Sequence, residues 1–252
     1  MISLTHSHPQ ARTPASVKFL LFITLILSSS LSYAQRVQPM VFELATLGND
    51  SSQSLRIDNT TQNPLTMEFS ASKIILDEFG NETREPADDD FLVYPPQTLV
   101  AAGQSQVVKV KYVGDPTITQ SQAYRVSAKQ LPVNLDRAEG AGVGILINFD
   151  TLVNVSPPKA KAQLSVSELS AADSENWELT INNTGNKFVR LSTTSWEVSS
   201  KDTNSKLKPI KVDTVGSLVK NNLVGPNSSM KLTIPAFEGF IAESTLIDIT
   251  GK

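Results

Sequence analysis

The chain has 252 residues, no cysteine and only two histidines, His6 and His8, and its 22 basic and 25 acidic side chains give a net charge of −3. Disulfide and thiolate chemistry are therefore absent. Histidine-dependent nucleophile systems and the usual zinc and copper sites have no ligands beyond residue 8, and no basic block favours nucleic acid. A carboxylate-only hydrolase stays open on composition, but an enzyme is the least expected class, and no metal or cofactor is expected.

In chain order, residues 1–34 come first. Arg12 and Lys18 precede the apolar run "FLLFITLIL", and "SSSLSYA" places Ser32 and Ala34 at the small positions that a signal peptidase reads. The run is shorter than the roughly 18–20 apolar residues that span a bilayer. A cleavable signal peptide over 1–34 is expected, with export and no membrane insertion by the mature chain, which keeps 20 basic and 25 acidic side chains.

From Gln35 onward the chain reads as all-β: short runs rich in Val, Ile, Thr, Leu and Phe, punctuated by Asn, Asp, Gly, Ser and Pro. Strands are predicted at "QPMVFEL", "QSLRIDNT", "LTMEFSASKII", "FLVYPP", "QSQVVKVKYV", "AYRVSAKQLPV" and "GVGILINFDTLVNV". Seven short strands fit one immunoglobulin-like sandwich over 35–156. The acidic stretch Asp77–Asp90 lacks the spacing of a calcium loop and is expected to be a solvated loop. "SPPKAKAQ" interrupts the pattern, and a second series follows over 157–252: "AQLSVSEL", "NWELTINNTG", "KFVRLSTTSWEVS", "LKPIKV", "VGPNSSMKLTIP" and "STLIDIT". "LRIDNTTQNPLTMEF" and "LTINNTGNKFVRLS" share a design of strand, Asn-rich turn and returning strand, so two related sandwiches are expected.

The seventh run has the most one-sided pattern. Val143, Ile145, Ile147 and Phe149 share one parity, and Gly144, Leu146, Asn148 and Asp150 share the other. On periodicity alone the apolar row is either the inner face of the sandwich or a face awaiting a partner.

The order of these phrases, with the export signal and the two-sandwich length, resembles the periplasmic chaperones of the chaperone-usher pilus pathway, the PapD-like family. The resemblance rests on "FLVYPPQTLVAAGQSQVVKVKY", "AYRVSAKQLPV", "GILINFDTLVNVSP" and "WELTINNTGNKFVRLS". It implies two immunoglobulin-like domains set at an angle, a periplasmic location, and partners that are pilus subunits lacking a final strand and an outer-membrane usher. It also implies that the seventh strand is lent to the subunit, with Val143, Ile145, Ile147 and Phe149 inserted and Leu146 turned into the chaperone's own core. The best-known members hold the subunit's terminal carboxylate with an arginine on the first strand and a lysine on the seventh. Those positions fall here near Pro39 and Leu152, which suggests a divergent, archaic-type branch with its cations elsewhere. Arg125 and Lys129 share a parity on the sixth strand and are the candidates, with Arg36, Lys109 and Lys111 behind them. Self-association of the client-free protein is a further possibility. The alternative is a secreted two-domain adhesion or carbohydrate-binding protein.

Overall fold

A computed structural model describes residues 35–132, 145–213, 215–219 and 222–251. The donor position Val143 and the expected leader lie outside them.

The strands are β1 (Arg36–Gln38), β2 (Val41–Ala45), β3 (Ser52–Asp58), β4 (Leu65–Leu76), β5 (Glu82–Pro86), β6 (Phe91–Tyr94), β7 (Gln97–Val100), β8 (Ser105–Tyr112), β9 (Gln122–Gln130) and β10 (Asn148–Ser156). They form two facing sheets, β1-β3-β8-β6 and β2-β10-β9-β4-β5, with β7 also paired to β4. The run "QPMVFEL" is not one strand. Pro39 has no N–H to give to a ladder, so β1 ends before it and pairs with β3, while β2 starts after it and pairs parallel with β10 in the other sheet.

The alternate residues Leu55 and Ile57 of β3, Val108 and Val110 of β8, and Tyr124, Val126 and Ala128 of β9 face one another and are buried, which is what period-two patterning predicts for two packed sheets. The aromatic centre is Phe91 edge-on to Tyr112 and Tyr124, with centroids 5.6 and 4.9 Å away. The Tyr124 hydroxyl donates to Asp90 at 3.0 Å, and burial followed by the neighbouring Tyr112 and Asp90 pushes its phenol well above the ordinary value.

The acidic stretch departs from expectation. Asp77–Asp90 is the tip and return strand of the long β4–β5 hairpin followed by a 3-10 turn. Asp77 Oδ1 accepts from the amides of Phe79 and Asn81, Asp88 Oδ1 accepts from Ala71 N at 2.7 Å, and Asp90 meets Tyr124. The stretch is solvated as expected, with no acid of it buried, but it is a paired hairpin strand and turn rather than a loop, and its acids close turns and hold groups of β4 and β9.

The second series gives β11 (Leu164–Ala171), β12 (Asn176–Asn183), β13 (Val189–Arg190), β14 (Thr194–Ser200), β15 (Ile210–Val212), the short helix α1 (Val215–Leu218), β16 (Leu223–Val224), β17 (Ser228–Pro235) and β18 (Thr245–Gly251). Sheets β11-β12-β17 and β15-β14-β18 enclose Trp177, Leu179, Ile181, Trp196, Val198, Leu232, Ile234 and Ile247. The shared turn design is physical. Buried Asn59 donates Nδ2 to Asn63 O and to Val100 O, and buried Asn183 donates Nδ2 to Lys187 O and to Gly225 O. Each amide pins its own turn to a distant segment, so β3 corresponds to β12, and the strands that follow correspond in order.

The sandwiches meet through Ile74, Ala123, Leu152 and Leu223, with Leu76 and Phe188 against them. Ser121 N donates to Asn186 O at 2.9 Å and Ser121 Oγ accepts from Phe188 N at 2.6 Å. The β4–β5 tip reaches β17, where Lys231 N donates to Glu78 O, Lys231 Nζ pairs with the Glu78 carboxylate at 2.6 Å, and the ammonium stands over the Phe79 ring.

Candidate functional site

β10 is antiparallel to β9 from Asn148, opposite Lys129, to Val155, opposite Gln122. On its other side β2 covers only Leu152–Ser156, beginning at the pair Leu152–Val41. Among the described residues no strand pairs with the β2 side of 148–151. The expected edge strand is thus half covered, and its open part is the N-terminal half. The ladder to β9 runs one step further, since Gln130 N donates to Ile147 O and Ile147 N donates to Gln130 Oε1, each at 3.1 Å.

Burial along one parity gives the open half its character. Val155, Val153 and Thr151 are buried and Phe149 is half-buried against the cluster of Val37, Ile57, Met67 and Val108; Ile147 is half-buried and Ile145 is 78% exposed. The row that fills the sandwich's own core therefore runs out past its end. This corrects two expectations. Phe149 packs on the chain's own core and is not a free member of the apolar row. Leu146, expected inside, is 52% exposed.

The opposite face of the sheet carries an ion network beside the strand. Arg125 donates from Nε and Nη2 to the Glu82 carboxylate at 2.7–3.1 Å, Arg84 bridges Glu82 at 2.6 Å and Asp150 at 2.8 Å, and Asp150 also accepts from the Ser127 hydroxyl at 2.6 Å. Burial opposes the charge of Glu82, but hydrogen bonds from Arg125 and Arg84 outweigh it and leave the carboxyl below its ordinary value. Asp150 is lowered likewise, against burial, by Ser127 and Arg84. Arg125 is thus committed to an internal carboxylate. Lys129 is exposed, opposite Asn148 on one side and Glu68 on the other. The alternating "NETREP" places Glu82 and Arg84 on one face, but their partners across three strands leave no sequence signal.

Arg36, Lys109 and Lys111 are not brought to β10. Arg36 is bound to Asp58 at 2.9 Å, and Lys109 and Lys111 stand exposed on the opposite sheet, in register with Tyr94 and Leu92. Sequence reasoning missed two other cations. Where β2 begins, a cleft of about 390 Å3 is lined by Val41, Asn154, Lys187 and Arg190, the latter two from the second sandwich. Lys187 pairs with Glu43 at 2.7 Å, and the buried Asn154 Oδ1 has no hydrogen-bond partner among the described residues. Among those residues no group of three or more acidic, histidine or cysteine side chains is placed to hold a metal ion.

Among the described residues the last strand of the first sandwich is thus half open, and its covered end lies at a cleft that the second sandwich lines with Lys187 and Arg190. Residues 40–160 match the family model of the pili and flagellar-assembly chaperone PapD N-terminal domain. No curated protein sequence matches. The fold of the whole described chain is that of solved fimbrial chaperones. The class 5 fimbriae chaperone CfaA superposes with a TM-score of 0.56 at 17% identity, over 87% of this chain and all of that one. The SafB chaperone in complex with Salmonella enterica SafA pilin gives 0.54 at 15%, over 82% and 87%. The E. coli chaperone DraB gives 0.52 at 16%, over 81% and 88%. The chain belongs to the PapD-like chaperone family, with two immunoglobulin-like domains.

Proposed function

We propose that this chain is a periplasmic chaperone that holds pilus subunits by lending them the open half of β10, and that it delivers them to an outer-membrane usher. The observation that carries this reading is the burial gradient from Val153 to Ile145: an apolar row continuous with a packed core, ending in water beside a main-chain edge that no strand among the described residues pairs. Such an edge is ordinarily blunted by charge, proline or cover, because it templates pairing with other chains. A subunit strand added at 148–151 uses the free main-chain groups, and Ile145 and Ile147, with Val143 before them, enter its groove.

An added strand that runs parallel to β10, as β2 does, ends where β2 begins, at Val41. Its terminal carboxylate then meets the cleft that holds Arg190 and Lys187. On the β9 side, Lys129 opposite Asn148 and Arg125 opposite Leu152 stand at the two ends of this stretch and are the competing anchors. Comparing Arg190→Ala, Arg125→Ala and Lys129→Ala in subunit capture separates them: the anchor's loss weakens capture by about 1.5–3 kcal/mol, as expected for a charge-assisted bond. An adhesion or carbohydrate-binding role draws no support from the tryptophans, since Trp177 and Trp196 are both core residues. Co-expression with its subunit tests the function: a soluble one-to-one complex that forms without nucleotide supports it, and a subunit equally soluble without the chaperone refutes it.

A further inference from the structure

The sheet of the first sandwich that does not contain β10 has a charge pattern unlike the rest of the chain. Its strands β1, β3, β8 and β6 carry Arg36, Arg56, Lys109 and Lys111 against one acid, Asp58, whereas the chain from Gln35 on has 20 basic and 25 acidic side chains. All four cations are exposed and lie on the outer face, because the alternate positions Val37, Leu55, Ile57, Val108 and Val110 fill the core. Asp58 is committed to this face's own groups: it accepts from Arg36 at 2.9 Å, from Arg56 at 2.7 Å and from the Ser105 hydroxyl at 2.5 Å. The bond from Ser105, followed by that from Arg36, holds its carboxyl far below the usual carboxylate range, so it stays ionised and offsets one of the four cations.

Apolar side chains are interleaved with these cations. In cross-strand register Tyr94 stands beside Lys109, Leu92 beside Lys111 and Val107 beside Arg56, and the three are 71%, 55% and 51% exposed. The main-chain groups of β3 and β8 are used on both sides by their own ladders, so a partner laid across them meets charge and apolar tips without main-chain pairing. In the turns that flank these strands, acids occur at one end only, at Asp50, Asp88–Asp90 and Asp115. The other end presents Arg36, Arg56 and Tyr94.

We propose that this face seats the chain peripherally on an anionic lipid bilayer, with Tyr94 and Val107 at the headgroup boundary and the four cations against lipid phosphates. Charge complementarity sets the sign of the partner. The interleaving favours a bilayer over an acidic polypeptide: Lys and Arg stems lie along the apolar tips and keep their charged ends at phosphate level, and a tyrosine, with an apolar ring and a polar hydroxyl, suits that boundary. An acidic polypeptide pairs the cations but covers the apolar tips only if it carries a matching apolar surface of its own. The acidic end of the sheet tilts away from the lipid. With a net charge of three, each contributing about fivefold to partition, the contact is weak, reversible and dependent on salt. It uses no part of β10 and does not depend on strand lending.

Vesicle co-sedimentation tests this with the chain from Gln35, which holds both sandwiches and leaves out the apolar run at residues 19–27. The probes are vesicles of phosphatidylglycerol and phosphatidylcholine in equal parts, and vesicles of phosphatidylcholine alone. Binding is expected only to the mixed vesicles at low salt, and it falls away at about 0.5 M salt. Lys109→Gln together with Lys111→Gln removes two charges and weakens partition by about 25-fold. Trp177 and Trp196 are core residues, so Tyr94→Trp gives an independent signal, an emission that shifts to the blue on the mixed vesicles and not on phosphatidylcholine. The three altered positions are exposed, so folding is not at stake. No binding at low salt, equal binding to both vesicles, binding indifferent to the lysine pair, or unchanged Tyr94→Trp emission overturns the proposal. Retention of the parent on poly-glutamate that the lysine pair abolishes, with no binding to mixed vesicles, assigns the face to an acidic polypeptide and overturns it equally. Subunit capture enters none of these assays.

Discussion

Ile145→Asp and Phe149→Asp, two residues apart in one row, should have opposite effects. Ile145 is 78% exposed, so folding draws little from it, and its replacement should alter stability by no more than about 0.5 kcal/mol. In a subunit complex the same position enters an apolar groove. There the substitution forfeits the roughly 1.5–3 kcal/mol of a buried isoleucine and adds the cost of desolvating a carboxylate. A combined loss of about 4 kcal/mol lowers affinity by roughly a thousandfold. Phe149 packs against the cluster containing Ile57, Met67 and Val108, so an aspartate there creates a void and a charge at the sandwich's own core, with an expected stability cost of about 3 kcal/mol. The assays are urea denaturation of each variant and subunit pull-down from the periplasm. Unfolding by Ile145→Asp, or full capture by a folded Ile145→Asp chain, would refute the reasoning.

Three further outcomes are expected. Glu82→Gln should destabilise at neutral pH by about 1–2 kcal/mol, because Arg125 and Arg84 both lose a charged partner. The folded carboxyl is held below its unfolded value, so the stabilisation is present above the ordinary carboxylate range and is lost as pH falls through the folded value. The gap between the variant and the parent should therefore close below about pH 4; a gap independent of pH in denaturation curves would contradict it. Asn59→Ala and Asn183→Ala each orphan carbonyls in a buried turn and should cost about 2 kcal/mol apiece, with costs that add in the double variant because the turns belong to different sandwiches. Ser121→Val leaves the amide of Phe188 without its acceptor and should split calorimetric unfolding toward two transitions; a single unshifted transition would show that this bond does not couple the sandwiches.

The strand series was legible because two packed sheets impose a period of two, which β8 obeys throughout, whereas central β9 buries Ala123 and Ser127 as well as Tyr124, Val126 and Ala128. The buried asparagines were legible as turn chemistry, although their reach to Val100 and Gly225 was not. Pro39 carried its own warning, since a residue without an N–H in a supposed strand marks a break, and that break sends β2 to cover half of β10. Parity at 145–149 is a pattern in the sequence, and pattern does not say where a sandwich ends, since Ile145 and Leu146 are both exposed. Only the packing separates half-buried Phe149 from exposed Ile145. Sets assembled across strands, such as Glu82 with Arg125 or Asn154 near Arg190, have no local signature.

The central claim is that a subunit pairs with the open half of β10. Amide hydrogen exchange at 148–151, compared between the free chaperone and its soluble complex with a strand-deficient subunit, tests this most directly. Strand lending predicts slowed exchange at the amides directed away from β9 in this stretch, with little change in Leu152–Ser156, which β2 already covers. Unchanged exchange at 148–151, with new protection confined to another surface, would contradict it.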